Sequence, residues 1–573
     1  MYPLPFTSSF LLLLGTFFEL TRAGGGHSQR CRNIPGDAGY PSAATWAAFN
    51  ASISGRLVNV VPSAKYCAGI GGCSDAQWTS AIFRGAIPGA MDQVNWEQGY
   101  DLEPASLCLR NGTTCGQGDV PIYSVEAETV KDVQAAVKFA TKHNLRLVVK
   151  STGHDYLGRS TAPHSLLIRV AKFKNITYTE DFRVAGKRLG SAVTLGSGVY
   201  ANEFYQSAKA QGKIAAVGVS ATVAPAGGQI QGGGHSSLSP ALGLVSDNAL
   251  EFTVVDGHGD VLRVNSASNP DLFYAIRGGG SGSWGVLISA TIRTFPTFNL
   301  TLSTIVLGAL SNTIAGQLAT VHAQHIFDWD SVHAGQYFFM LKNVTGPGSP
   351  TGFVVLTYMP NTTAAQADAL LAPWLNASLA IPGVVPVSQG SVEVLVNDAL
   401  FAADDGVGGN VYMGSRLIPE ALYRETPEKV GDVYTQLLDD GATGILGHMV
   451  AGGKVAQNAD LKSAVHPAWR TAKTHIVIPN GYAESATLEE IRAVRSKFQT
   501  SQRPLLEQLS GPDGASYSNE ADIEPDFQTT FFGSAPSYAK LSAIKRKYDP
   551  HDLFIVAAGV GSERWDQWGL CRV

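Results

Sequence analysis

Hydrophobic positions change period repeatedly along this chain, and each change marks an element. Pro121-Ile122-Tyr123-Ser124-Val125 reads as a strand. Thr129-Val130-Lys131-Asp132 follows with capping-box spacing, Asp standing where Glu is usual. Val130, Val133, Val137 and Ala140 then recur at helical spacing, giving a helix with one apolar face. Leu145-Arg146-Leu147-Val148-Val149 is a short apolar run, as in a buried strand. Further on, 250–256 and 286–295 read as strands, with a helix before the second. Beyond 299, strand-like runs such as 352–358 alternate with helix-like ones such as 364–371, and a helix near 538–548 closes the chain. Residues 24 to about 116 read as a loop-rich extension.

At 573 residues the chain exceeds what one hydrophobic core serves, so at least two lobes are expected. A net charge of −5 leaves no basic surplus for phosphates, which disfavours nucleic-acid or acidic-membrane partners. The apolar run 10–18, followed by Thr21-Arg22-Ala23, reads as a signal peptide over 1–23, although Lys and Arg are missing before the run. No later stretch suits a membrane helix. Sequons start at Asn50, Asn111, Asn175, Asn299, Asn343, Asn361 and Asn376, which agrees with a secreted glycoprotein. The six cysteines allow fifteen pairings. Cys67/Cys73 and Cys108/Cys115 could close short loops, leaving Cys31 and Cys571 to tie the ends. No metal site is expected, since neither CxxC nor paired-His spacing occurs.

Candidate chemistry concentrates in the small-residue segments. Lys150-Ser151-Thr152-Gly153-His154-Asp155-Tyr156-Leu157-Gly158-Arg159-Ser160 follows the strand at 145–149. Small residues beside His154 let the backbone approach a large flat ligand. The imidazole could be a nucleophile, a base or an attachment point, or a hydrogen-bonded residue in a plain turn. In the second segment, 218–235, consecutive small residues allow backbone N–H groups to converge on a pyrophosphate. Its final His235 reads as a hydrogen-bonded structural residue rather than a catalyst. The third segment, 269–286, contains Gly280-x-Gly282-x-x-Gly285. A helix precedes it and a strand follows, the reverse of the order a dinucleotide fingerprint needs. No G-x-S-x-G occurs, which disfavours a serine hydrolase.

Taken in order, the His154 loop, the 218–235 segment, Asn269-Pro270-Asp271-Leu272-Phe273-Tyr274-Ala275-Ile276-Arg277-Gly278-Gly279-Gly280, and the pair Tyr517-Ser518-Asn519 with Asp549-Pro550 resemble one family. It is the vanillyl-alcohol oxidase / p-cresol methylhydroxylase family of FAD enzymes, in its berberine-bridge-like branch, near fungal isoamyl-alcohol-oxidase-like proteins. The resemblance implies an α+β, two-lobed FAD-binding fold with a mixed or antiparallel-sheet substrate lobe. It divides the chain into the 24–116 extension, an FAD domain at 117–298, a substrate lobe at 299–500 and a returning segment at 501–573.

The resemblance also implies FAD bonded at its 8α carbon to His154. The implied cofactor contacts are Ser151, Thr152, Gly153, Asp155, Gly158, Ser160, Gly218, Ser220, Thr222, Val223, Gly228, Gly232, Gly233, Gly234, His235 and Asn519. Ser220 stands where many relatives carry a Cys bonded to flavin C6, so a single covalent link is expected. Tyr517 is the expected base and Tyr156 a second active-site group. A phenol of pKa near 10 needs a cationic neighbour or coupled hydride loss to accept a proton near neutrality. The implied function is oxidation of a small-molecule alcohol with O2 as final acceptor, in a secreted monomer. Oxidative cyclisation or desaturation in a biosynthetic pathway, and a binding protein that keeps only the fold, are the alternatives.

Overall fold

The computed structural model describes residues 30–343 and 348–573; the expected signal peptide lies outside them. Helix Val130–Lys142 starts with a reciprocal cap: the Thr129 hydroxyl accepts from the Asp132 N–H, and Asp132 accepts from the Thr129 N–H. Such a cap contributes about 1 kcal/mol. Val133, Ala136, Val137 and Ala140 are fully buried and pack with Leu147, Leu166 and Ile168 of the neighbouring strands. Those strands, Tyr123–Glu126, Leu166–Arg169 and Leu147–Lys150, run parallel in that order. Burial on both faces is why 145–149 reads as an apolar run.

Strand Leu57–Asn59 adds antiparallel to the outer edge of this sheet, and Trp46 and Phe49 enter the same core. The 24–116 region is therefore built into the first lobe. It also carries helices Ala43–Ser52 and Ser63–Gly69 where loops are expected. Ala-rich segments of that kind show too little contrast between faces to betray a helix by period. A second, antiparallel sheet of this lobe has the order Ile176–Val184, Lys187–Gly196, Val286–Arg293, Ala249–Val255, Val261–Asn265.

The second lobe is a seven-stranded antiparallel sheet. Along its strand Gly335–Leu341 the faces alternate: Phe338 and Met340 join a core under the covering helices, while Tyr337 and Phe339 pack into the core shared with the first lobe. The sheet therefore roofs the first lobe. Leu506 and Leu509 of helix Arg503–Ser510 belong to the helix-covered core, which carries this lobe past the expected boundary at 500. The disulfides are Cys31–Cys571, Cys67–Cys73 and Cys108–Cys115, the first joining the two ends. Among the described residues no helix is long and apolar enough to cross a membrane.

Candidate active site

A cavity of about 330 Å³ lies between the roofing sheet and the small-residue loops. Strand Leu147–Lys150 delivers Ser151, Thr152, Gly153, His154, Asp155, Tyr156 and Ser160 to its wall. Gly153 turns the chain there at φ +112°, a conformation that side chains resist. The second segment supplies Gly218, Ser220, Val223, Gly228 and His235, and the returning loop supplies Tyr517 and Asn519.

Five expected contacts do not line the cavity. At Gly158 a Cβ would meet the Trp96 ring at 2.5 Å, so that glycine serves packing. A Cβ at Gly232 would meet the Asn519 amide at 2.5 Å, and one at Gly234 would meet Val245 at 2.7 Å. Gly233 accepts a backbone bond from Ser246. Thr222 acts through His154.

The His154 ring is held from one side. Its Nε2 lies 2.5 Å from the Thr222 hydroxyl, 3.2 Å from Asp92 and 3.6 Å from Asp405. Thr222 has one hydroxyl proton, which it donates to Asp405 at 2.8 Å. Thr222 can then only accept from His154, which puts a proton on Nε2, so in the neutral imidazole it is Nδ1 that carries the lone pair. Asp405 also accepts from the Ala221 and Thr222 amides. Burial alone would raise Asp405, but His154 and these hydrogen bonds outweigh it and hold the carboxyl below its ordinary range. For Asp92 burial wins and pushes it up, against His154, Arg84 and Lys150.

A chain of polar contacts runs from this loop to Tyr517. Asp155 accepts from Arg159 at 2.6 Å, Arg159 donates to Asn519 at 3.2 Å, and Asn519 donates to the Tyr517 hydroxyl at 2.8 Å. The Asp155 carboxylate also accepts from the Leu157 and Arg159 amides, so its main work is shaping the turn. Burial pushes the Tyr517 phenol well above its ordinary value, and Glu520 adds to this. The Asn519 bond and the Arg159 charge oppose it without prevailing. Tyr156 is pushed up in the same way by burial, then by Glu520, Asp92 and Asp405.

Several wall residues escape sequence reasoning. Glu520 stands three residues after Tyr517 and lines the cavity with Tyr337, Phe339 and His448. His235 donates from Nε2 to the Glu520 carboxylate at 3.2 Å. His448 and His475 face each other across adjacent strands. Burial pushes His448 down to about 4 and His475 well below its ordinary range, against the charge of Glu520. Burial would raise Glu520, but the imidazoles of His235, His448 and His475 outweigh it and hold the carboxylate ionised. A His inside an otherwise apolar strand is the one signal the sequence offered here.

The wall suits a large planar, phosphate-bearing cofactor. Gly227, Gly228, Gly282 and Gly285 line the cavity without side chains, so bare backbone forms part of the surface. Ser197 lines the cavity with its hydroxyl buried and without a hydrogen-bond partner among the described residues. Comparison with known proteins agrees. Residues 121–265 match the FAD binding domain family, and 516–561 match the berberine and berberine like family. An FAD-linked oxidoreductase of Arthroderma benhamiae is 38% identical, over 99% of this chain and 100% of its own. The chain belongs to the VAO-type FAD-linked oxidoreductases, in their berberine-like branch. The flavin-dependent oxygenase ucdF of Aspergillus ustus is 33% identical, over 92% of this chain and 98% of its own. The crystal structure of a VAO-type flavoprotein from Myceliophthora thermophila superposes with a TM-score of 0.84 at 28% identity, covering 95% of this chain and 100% of that one.

Proposed function

We propose that this FAD-linked oxidoreductase oxidises a hydroxyl-bearing small molecule and passes the electrons to O2, giving hydrogen peroxide. The observation that carries the reading is that His154, with its lone pair on Nδ1, shares one cavity with Tyr517 and Asn519. FAD supplies the two-electron acceptor that side chains lack. His154 would hold the flavin covalently, through Nδ1 at the 8α carbon. Ser220, with no thiol, makes this the single link.

Tyr517 is the proton acceptor, with Tyr156 as a second hydroxyl on the wall. Because burial holds Tyr517 protonated at rest, it does not ionise ahead of substrate. As hydride leaves the carbinol carbon, the hydroxyl becomes strongly acidic and gives its proton to the Tyr517 oxygen while the phenol passes its own proton on to solvent, so Tyr517 relays the proton without ionising. Asn519 fixes the phenol for that transfer at 2.8 Å. Ser151, Thr152, Gly153, Ser160, Gly218, Val223 and Gly228 are the backbone and hydroxyl surface that would hold the cofactor. The three disulfides suit entry to the secretory pathway.

The relative described as a flavin-dependent oxygenase favours a second reading, in which the same residues serve an oxidative step of a biosynthetic pathway. An absorption spectrum before and after acid precipitation tests the cofactor. Flavin colour retained in the pellet supports the His154 link, and colour released to the supernatant removes it. Peroxide formation across a panel of alcohols, with product analysis, then separates simple oxidation from cyclisation. Well-folded protein without colour would overturn the oxidoreductase reading and leave a binding protein.

A further inference from the structure

On the cavity wall, side chains from four distant parts of the chain converge. His235 ends the second glycine-rich segment, where Gly233 and Gly234 hold φ at +111° and +72°. His448 and His475 are direct cross-strand partners in strands Gly444–Met449 and Ala472–Tyr482. Glu520 comes from the returning loop. One ligating atom from each lies within 4.8 Å of all the others.

The separations have a specific size. His235 Nε2 is 3.2 Å from Glu520 Oε1, and His448 Nδ1 is 3.3 Å from His475 Nδ1. His475 Nδ1 and His448 Nδ1 lie 3.5 and 3.7 Å from Glu520 Oε2. An ordinary N–H···O bond is shorter, with a mode of about 2.9–3.0 Å. Nitrogen and oxygen ligands about 2.0–2.1 Å from a tetrahedral ion stand about 3.3–3.4 Å apart. The facing Nδ1 atoms of two neutral imidazoles can share only one proton, so at least one lone pair points inward beside the carboxylate. Carboxylate and imidazole donors together suit a first-row divalent ion such as zinc.

We propose that His235, His448, His475 and Glu520 form a binding site for a divalent transition-metal ion in the wall of the cavity. His235, His448 and Glu520 line the cavity, so the ion is accessible to a molecule bound there. The ligands are invisible to spacing rules because no two of them share an element.

The test uses full-length, flavin-bearing protein without a polyhistidine tag. The protein is dialysed against a chelator, equilibrated with Zn2+ or Co2+, desalted and analysed for metal by plasma mass spectrometry. About one equivalent per chain is expected. H448Q and E520Q should each weaken uptake by roughly tenfold or more, while H325Q, at a half-buried His ending helix Asn312–His325 and outside the site, should bind like the parent. Flavin absorbance and the thermal melt of each variant show that it has folded. Only trace metal in the parent, or equal uptake by H448Q, E520Q and parent, overturns the site and leaves a hydrogen-bonded His–Glu network. Parent protein without flavin colour would count against the proposed function, whereas flavin-bearing parent that takes up no metal counts only against this site.

Discussion

Thr222→Val is the most informative single perturbation of the His154 assembly. It removes a hydroxyl that donates to Asp405 at 2.8 Å and accepts from His154 at 2.5 Å. A bond to a charged group contributes about 1.5–3 kcal/mol and a neutral one about 0.5–1.5 kcal/mol. Asp405 keeps the amides of Ala221 and Thr222, so its carboxylate is not stranded. The His154 Nε2 proton keeps only the longer contacts to Asp92 and Asp405, at 3.2 and 3.6 Å. These remaining partners bring the expected loss down to about 2–3 kcal/mol. Since 1.4 kcal/mol is tenfold, a loss of about 2 kcal/mol in ring fixation should slow formation of the proposed covalent flavin bond by roughly tenfold or more. The assay follows the share of flavin absorbance in the acid-precipitated pellet with time after expression, beside a denaturant midpoint. A pellet that fills at the parent rate, with unchanged stability, would refute the claim that Thr222 sets the ring.

Three other outcomes are expected. Tyr517→Phe should lower the rate of flavin reduction by about 10²–10⁴-fold while retaining flavin and fold; stopped-flow reduction at parent-like rates would remove Tyr517 from the chemistry. Arg416→Ala should destabilise by about 3 kcal/mol, because Glu524 would remain buried with only the longer contacts to Arg503 at 3.8 Å and Ser516 at 3.4 Å, whereas replacing both by Met should cost less. Urea unfolding of the single and double variants decides between a pair that matters by its charge and one that matters by its packing. Burial, with Asp101 nearby, pushes Asp119 from 3.8 up to about 7 against the charge of Arg495. Between these values the folded state holds a proton that the unfolded state releases, so this group lowers stability as pH rises from about 4 through 7. Asp119→Asn should therefore stabilise by about 2–4 kcal/mol at pH 8 and have little effect near pH 4; equal gains at both pH values would contradict the shift.

The sequence determined what depends on near neighbours. The cap at Thr129 and the buried face of Val130–Lys142 follow from spacing within one helix. Strand Leu147–Lys150 and the turn that presents His154 follow from an apolar run and adjacent small residues. Motif order then carried the FAD family and the α+β fold. The helices of the 24–116 region were less legible, since Ala43–Ser52 offers little contrast between its faces.

Only the tertiary structure decided how distant groups meet. Asp92 and Asp405 flank His154 because a first-lobe turn and a second-lobe loop close on it from separate directions. Gly158, Gly232 and Gly234 looked like cofactor contacts, but their missing side chains make room for Trp96, Asn519 and Val245. Tyr517 was legible as a residue, while its protonation state was not, because burial and the charge of Glu520 belong to the folded environment. His448 and His475 meet through strand register, which is set by pairing across the sheet. Local pattern fixes which faces are apolar; the closing of the roofing sheet on the first lobe fixes which polar groups lose water together and so acquire a chemistry.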